Sequence, residues 1–265
     1  MESSNTPYTC HFSPTASPEQ FIPEHLFMYL VSGDMTVFDG SKEYNVRPGD
    51  YGFARRNHLA KYIKTPPPGG KFKTISILLE QDFLRKFSTE YNYTADEVIN
   101  SGAIIPLHAN PLFHTYIQSV APYLDLPSAE QDNFLFLKKK EIVLLLLKTN
   151  PELKNVLFDF SDPGKIDLEL FMNQNFRFNV SMERFSYLTG RSLTSFKRDF
   201  EKIFNNSPGR WLLEKRLQEA HYLIEKKGAK PSDVYLEVGF EDLSHFSYAF
   251  KKMYGTSPAQ LRKVK

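Results

Sequence analysis

The chain has 265 residues, 41% of them hydrophobic and 24% charged, with a net charge of only +2, a composition that describes a soluble globular protein of one large or two ordinary domains. Its single cysteine, Cys10, excludes a disulfide framework within the chain and a Cys-rich zinc site, and fits a reducing cytoplasm. The opening residues MESSNTPYTC carry no basic region followed by an apolar run, and the longest aliphatic run, Ile142–Leu147, is far too short to span a bilayer, so neither a signal peptide nor a membrane helix is expected.

The first eighty residues read as strands. FMYLVSG, DMTVFDG, KEYNVRPGDYGFAR and KFKTISILLE are short β-prone runs, punctuated by Gly33, Gly40, Pro48-Gly49-Asp50 and the segment TPPPGG. That spacing suggests a small barrel or sandwich. Tyr29, Phe38, Tyr44, Tyr51, Phe53 and Tyr62 lie near these strands. They suit a carbohydrate or aromatic ligand, or they are plain core.

The pattern turns helical near Gln81, and helices are expected from there to about 148. Phe83, Leu84 and Phe87 share one face. Leu112, Phe113, Tyr116, Ile117, Val120 and Leu124 form a second stripe. A third helix, Ala129–Lys148, carries Phe134–Leu137 and Ile142–Leu147 on either side of Lys138–Lys140. This apolar surface is broader than one neighbour in a small domain would cover. Either the helical pair at about 112–148 forms a homodimer, or the surface is buried inside its own domain. The stretch TNPELKNVLFDFSDPGK then breaks the pattern with two prolines and an Asp-Pro-Gly end. It places a domain boundary near Ser161–Lys165, giving domains 1–161 and 162–265.

Charge changes at the same place. From Lys165 onward there are 18 Lys+Arg and 12 Asp+Glu, a net +6, whereas the rest of the chain nets −4. A basic C-terminal part suits a polyanion, although a solvated basic face has the same composition.

The C-terminal part also repeats itself. TGRSLTSFKRDFEKIFNNSP at 189–208 is matched by GFEDLSHFSYAFKKMYGTSP at 239–258. Leu193, Phe196, Phe200 and Phe204 recur as Leu243, Phe246, Phe250 and Tyr254, all on one helical face. Asn205 recurs as Gly255, and both types tolerate the left-handed conformation that closes a helix. Shorter helices, Ser181–Thr189 and Pro231–Val238, precede the turns at Gly190 and Gly239. The repeat is offset by 49 before the turn and by 50 after it. Each copy is therefore a helix-turn-helix unit, at about 181–204 and 231–254. Two copies are fewer than a solenoid needs. Between the copies, Pro208–Lys227 reads as one helix that would hold them at a fixed separation.

Two such units on one connecting helix resemble the DNA-binding domain of the AraC/XylS family of bacterial transcription regulators. The resemblance covers about 167–265. It rests on VGFEDLSHFSYAFKKMYGTSPAQLRK and on WLLEKRLQEAHYLI; it departs at Asn205, where glycine is usual, and at Tyr235, where a small alanine is usual. It implies an α+β two-domain protein: an N-terminal cupin-like sensing domain of strands followed by a dimerising helical pair, then an all-α DNA-binding domain. The cupin metal signature is missing. No His-x-His with a following Glu lies on the strands; His58 stands alone in RRNHLAKY, and His11 and His25 lie outside any such spacing. No metal, cofactor or catalytic role is expected.

An α-helix fits the major groove of B-DNA and reads base edges with its exposed face. With Phe196 and Phe200 inward, Ser192, Thr194, Ser195, Lys197 and Arg198 lie on or beside the outer face of the first unit. With Phe246 and Phe250 inward, Ser244, His245, Ser247, Tyr248 and Lys251 do so in the second. The family's base-reading positions correspond to Thr194, Lys197 and Arg198, and to Ser244, His245 and Tyr248. Each is otherwise a solvated or phosphate-contacting residue. The resemblance thus implies a cytoplasmic regulator, an activator acting with RNA polymerase, on a bipartite duplex site in successive major grooves. Its N-terminal domain would answer to a small-molecule effector or serve as the docking site of a regulatory protein.

Overall fold

A computed structural model describes residues 8–11, 15–16, 20–99, 102–125 and 128–263. The chain divides into two compact units, one reaching to Ser161 and the other running from Asp162 and including Gln20.

The strands of the N-terminal unit are β1 (Tyr8–His11), β2 (Thr15–Ala16), β3 (Phe21–Ile22), β4 (His25–Ser32), β5 (Asp34–Phe38), β6 (Glu43–Val46), β7 (Tyr51–Ala54), β8 (His58–Leu59), β9 (Lys61–Thr65), β10 (Phe72–Leu79) and β11 (Ile104–Leu107). They form antiparallel sheets of order β1-β10-β4-β7-β11, β2-β9-β5-β6 and β3-β8. Among the described residues no sheet closes into a barrel, so the arrangement is the sandwich of the two expected forms.

Period-two alternation explains the layers. On β4, Leu26, Met28 and Leu30 join a core shared with Met35 and Val37 of the smaller sheet, while Phe27 and Tyr29 join a second core with the helices. The central sheet is thus buried on both faces, which is why its sequence is almost continuously apolar. Tyr51 and Phe53 belong to that second core, and Phe38, Tyr44 and Tyr62 are half-buried.

The helices covering the sheet are α1 (Gln81–Tyr91), α2 (Pro111–Val120), α3 (Ser128–Thr149) and the single turn α4 (Lys154–Leu157). The expectation of helix throughout 81–148 fails at β11, which pairs with β7 through Ile104↔Ala54 and Leu107↔Tyr51. α2 starts where Asn110 accepts a hydrogen bond from the Leu112 amide and Pro111 takes the first turn. On α3, Ile142, Val143 and Leu146 are fully buried in the unit's own core. Phe134, Phe136, Leu137 and Leu144 are exposed. Lys139 binds Glu80 at 2.6 Å and Lys140 binds Glu90 at 2.7 Å, tying α3 to α1.

The C-terminal unit contains α5 (Leu168–Asn175), α6 (Met182–Leu188), α7 (Leu193–Phe204), α8 (Pro208–Glu225), α9 (Pro231–Glu237), α10 (Leu243–Tyr254) and α11 (Pro258–Lys263). α8 stops two residues short of Lys227 and is followed by Gly228 in the left-handed region. Its first half enters one core, where the Trp211 ring lies 4.6 Å from Phe204 and 5.5 Å from Phe200. Its second half enters another, where Leu217, Ala220 and Ile224 meet Val234, Phe246 and Phe250. One helix is therefore part of two hydrophobic cores.

Candidate nucleic-acid interface

In both units a polar cap starts the second helix. The Ser192 hydroxyl accepts from the Ser195 amide, and Asp242 accepts from the His245 amide at 2.7 Å. Asn205 and Gly255 close the two helices in the left-handed conformation, φ 49° and 73°. Thr189–Arg191 separate α6 from its neighbour's cap, whereas Val238–Glu241 separate α9 from Asp242. That one extra residue is the slip in the repeat.

Each turn glycine has a backbone carbonyl where a side chain would stand. A Cβ on Gly190, φ 63°, would lie 2.4 Å from the Gly164 carbonyl oxygen. A Cβ on Gly239, φ 97°, would lie 2.6 Å from that of Arg177. The turns are thus pressed against the chain outside the motif.

Phe196, Phe200, Phe246 and Phe250 have no exposed surface. That aims the opposite faces outward. Ser192, Thr194, Lys197 and Arg198 are exposed on the first unit, and Ser244, His245, Tyr248 and Lys251 on the second. Ser195 and Ser247 are half-buried. The Ser192 hydroxyl also bonds the Ser195 hydroxyl at 3.1 Å, so both serines are engaged in capping. His245 lies against the Phe240 ring at 5.6 Å.

The faces differ in charge. In the first unit, Arg191 is buried; it donates to the carbonyls of Thr189 and Ile166 at 2.7 and 3.0 Å and to Asp199 at 3.2 Å. Asp199 also accepts two bonds from Arg198 at 3.3 Å, with the Lys165 ammonium 3.9 Å away. The Arg191 hydrogen bond, joined by Arg198, holds the Asp199 carboxyl below the usual range. The second unit has Glu241 and Asp242 beside α10 instead.

Behind the motifs, Arg216 of α8 donates to the carbonyls of Phe176, Phe178 and Gly239 at 2.8, 2.7 and 2.9 Å. Burial pushes its pKa down to about 10. It fixes the second turn to the strand of chain after α5. Reading the sequence alone misses Arg191, Asp199 and Arg216, because no local spacing marks residues whose partners are distant carbonyls.

In the N-terminal unit, an open cleft of about 350 Å³ is lined by Tyr29, Gly49, Tyr51, Ala109, Asn110, Pro111 and His114. The Tyr29 and Tyr51 rings lie 4.8 Å apart at its edge.

Residues 25–156 match the family model of the ExsA N-terminal regulatory domain, and residues 187–264 match that of a helix-turn-helix domain. The chain is 26% identical to the HTH-type transcriptional regulator ExsA of Pseudomonas aeruginosa over 97% of its own length and 92% of the relative's. It is 25% identical to the virulence regulon transcriptional activator VirF of Yersinia enterocolitica, over 89% of this chain and 88% of that one. The thermoregulatory protein LcrF of Yersinia pestis is 24% identical over the same shares.

Proposed function

This chain belongs to the AraC/XylS family of bacterial transcription regulators, and we propose from that premise that it reads a bipartite site in duplex DNA with α7 and α10. The observation that carries the reading is the pair of outward faces built on one shared helix: Thr194, Lys197 and Arg198 on the first, Ser244, His245 and Tyr248 on the second. An arginine fork suits the N7 and O6 of guanine, and each good bidentate pair is worth about 1–3 kcal/mol of discrimination. The second face carries smaller and aromatic groups, suited to thymine methyls, phosphates and bridging water. The first box is therefore the stricter, guanine-containing one, and the second, about 10 bp away, is looser. Ser192 and Ser195, engaged in the cap, contribute to phosphate contact at most; Ser247 and Lys251 flank the second box.

Activation through RNA polymerase, in the cytoplasm and without catalysis, is proposed on likeness to relatives such as VirF, which is named a transcriptional activator. No helix among the described residues is long and apolar enough to cross a membrane. Control would enter through the N-terminal domain, and the cleft between Tyr51 and His114 offers a small effector a place. The exposed Phe136, Leu137 and Leu144 of α3 support a homodimer through α2 and α3, and the same surface would suit a regulatory protein.

Selection of binding sites from a randomised duplex library tests the reading. Arg198→Ala should relax the first box and leave the second unchanged; His245→Ala should do the reverse with a smaller loss. Two variants that weaken every sequence uniformly would reduce both residues to phosphate clamps.

A further inference from the structure

Base readout by a single arginine requires more than reach. A guanidinium on a long flexible stem loses rotamer freedom when it docks, and a fork held in place beforehand loses less. Arg198 has 63% of its side chain exposed, so nothing in the hydrophobic core orients it. Its orientation comes from Asp199 instead.

The geometry is specific. Arg198 Nε and Nη2 both donate to Asp199 Oδ1 at 3.3 Å. That uses the side edge of the guanidinium and leaves the terminal edge, one N–H from each Nη, directed away from the carboxylate. The terminal edge is the pair of parallel donors that guanine N7 and O6 accept. Asp199 is itself immobilised. Its other oxygen accepts from Arg191 Nε at 3.2 Å, and Arg191 is anchored by the Ile166 and Thr189 carbonyls with only 8% of its side chain exposed. Arg191 and Arg198 flank the carboxylate, with Lys165 beside it at 3.9 Å, so its charge is offset near the phosphates. The second unit has Glu241, Tyr248 and Ala249 at the places of Arg191, Arg198 and Asp199, so this device belongs to the first unit alone.

We infer that Asp199 is a positioning residue for sequence readout: held by Arg191, it presents the terminal edge of Arg198 to a guanine in the first box. The inference rests on the reading of Arg198 as a base contact.

The test is a double-mutant cycle on the full-length protein with Arg198→Ala and Asp199→Asn. Affinity is measured for the selected duplex, for one with the first-box guanine replaced, and for a scrambled duplex. Asp199→Asn keeps the size and removes the charge. It should lower the preference for guanine by less than the roughly 5- to 150-fold that a whole bidentate pair provides. Affinity for the scrambled duplex should hold or rise, because a negative charge near phosphate is gone. In the Arg198→Ala background the same change should leave the preference unaltered. If Arg198→Ala relaxes the preference and Asp199→Asn does not, the positioning role is wrong and the base contact stands. If Arg198→Ala itself changes no preference, the reading of Arg198 falls and the inference with it. Equal loss on all three duplexes, with a lowered melting temperature, would make Asp199 merely structural. Should Asp199→Asn fail to fold, Asp199→Glu, which keeps the charge but displaces it, completes the same cycle.

Discussion

Replacing Arg216 by methionine removes one guanidinium and keeps a stem of similar length. Three carbonyls, those of Phe176, Phe178 and Gly239, then lose their donor. Leaving a buried acceptor unpaired costs about 1–3 kcal/mol, so the three together reach roughly 3–9 kcal/mol. Burial of the cation, visible in a pKa lowered to about 10, is relieved by the same substitution and offsets part of that. The net expectation is a loss of about 2–5 kcal/mol, and for a unit of this size each kcal/mol moves the melting temperature by about 4–8 °C. The chain's one tryptophan, Trp211, makes the assay selective. Half-buried, it packs against Phe200 and Phe204 of the first helix-turn-helix, so its fluorescence in a urea titration follows the C-terminal unit without the N-terminal one. Arg216→Lys should recover little, because one ammonium cannot reach three carbonyls in fixed directions. An unchanged urea midpoint in the methionine variant would refute the assignment of Arg216 as the clamp of the second turn.

Three further outcomes are expected. His25 is buried, its pKa pushed down to about 3 chiefly by desolvation, while the unfolded chain protonates near 6.5; stability of the N-terminal unit should therefore fall as pH drops below about 6.5, by up to roughly 1.4 kcal/mol per unit, and His25→Asn should flatten that slope in denaturation curves. Gly190→Ala should cost roughly 2–5 kcal/mol through its φ and the Gly164 backbone, against about 1–2 for Gly228→Ala, where the space is open; equal melting temperatures for the two would contradict this. Leu146→Glu should unfold the N-terminal unit, whereas Leu137→Glu should leave its circular dichroism intact and yield monomer in light scattering if α3 forms the dimer.

The DNA-binding half is legible in the sequence because its determinants are local. Phe196 and Phe200, Phe246 and Phe250 mark the inner faces by spacing alone, and Asn205 and Gly255 mark helix ends, whereas the capping role of Ser192, read in the sequence as an outer-face residue, shows only in the fold. The N-terminal half is less so. Ile104–Leu107 contains a proline and is only four residues long; it is a strand because β7 pairs with it, and pairing is not written in either segment. The run Ile142–Leu147 has apolar residues at every position, so it carries no period from which to tell Ile142, Val143 and Leu146, which face inward, from Leu144, which does not. Asp199 reads as one more surface carboxylate until folding brings Arg191 and Lys165 to it.

Because α8 is core to both units, it also sets a mechanical phase. One residue inserted between Trp211 and Leu217 would turn the second unit by about 100° relative to the first and advance it by about 1.5 Å. One base pair inserted between the two proposed boxes would turn the second by about 34–36° and advance it by about 3.4 Å. The two increments share no common step, so neither partner can compensate for a change in the other by a single insertion. On the bipartite reading proposed above, the spacing of the two boxes is thereby set by α8, and a drift from it would have to be absorbed by twisting or bending the duplex itself.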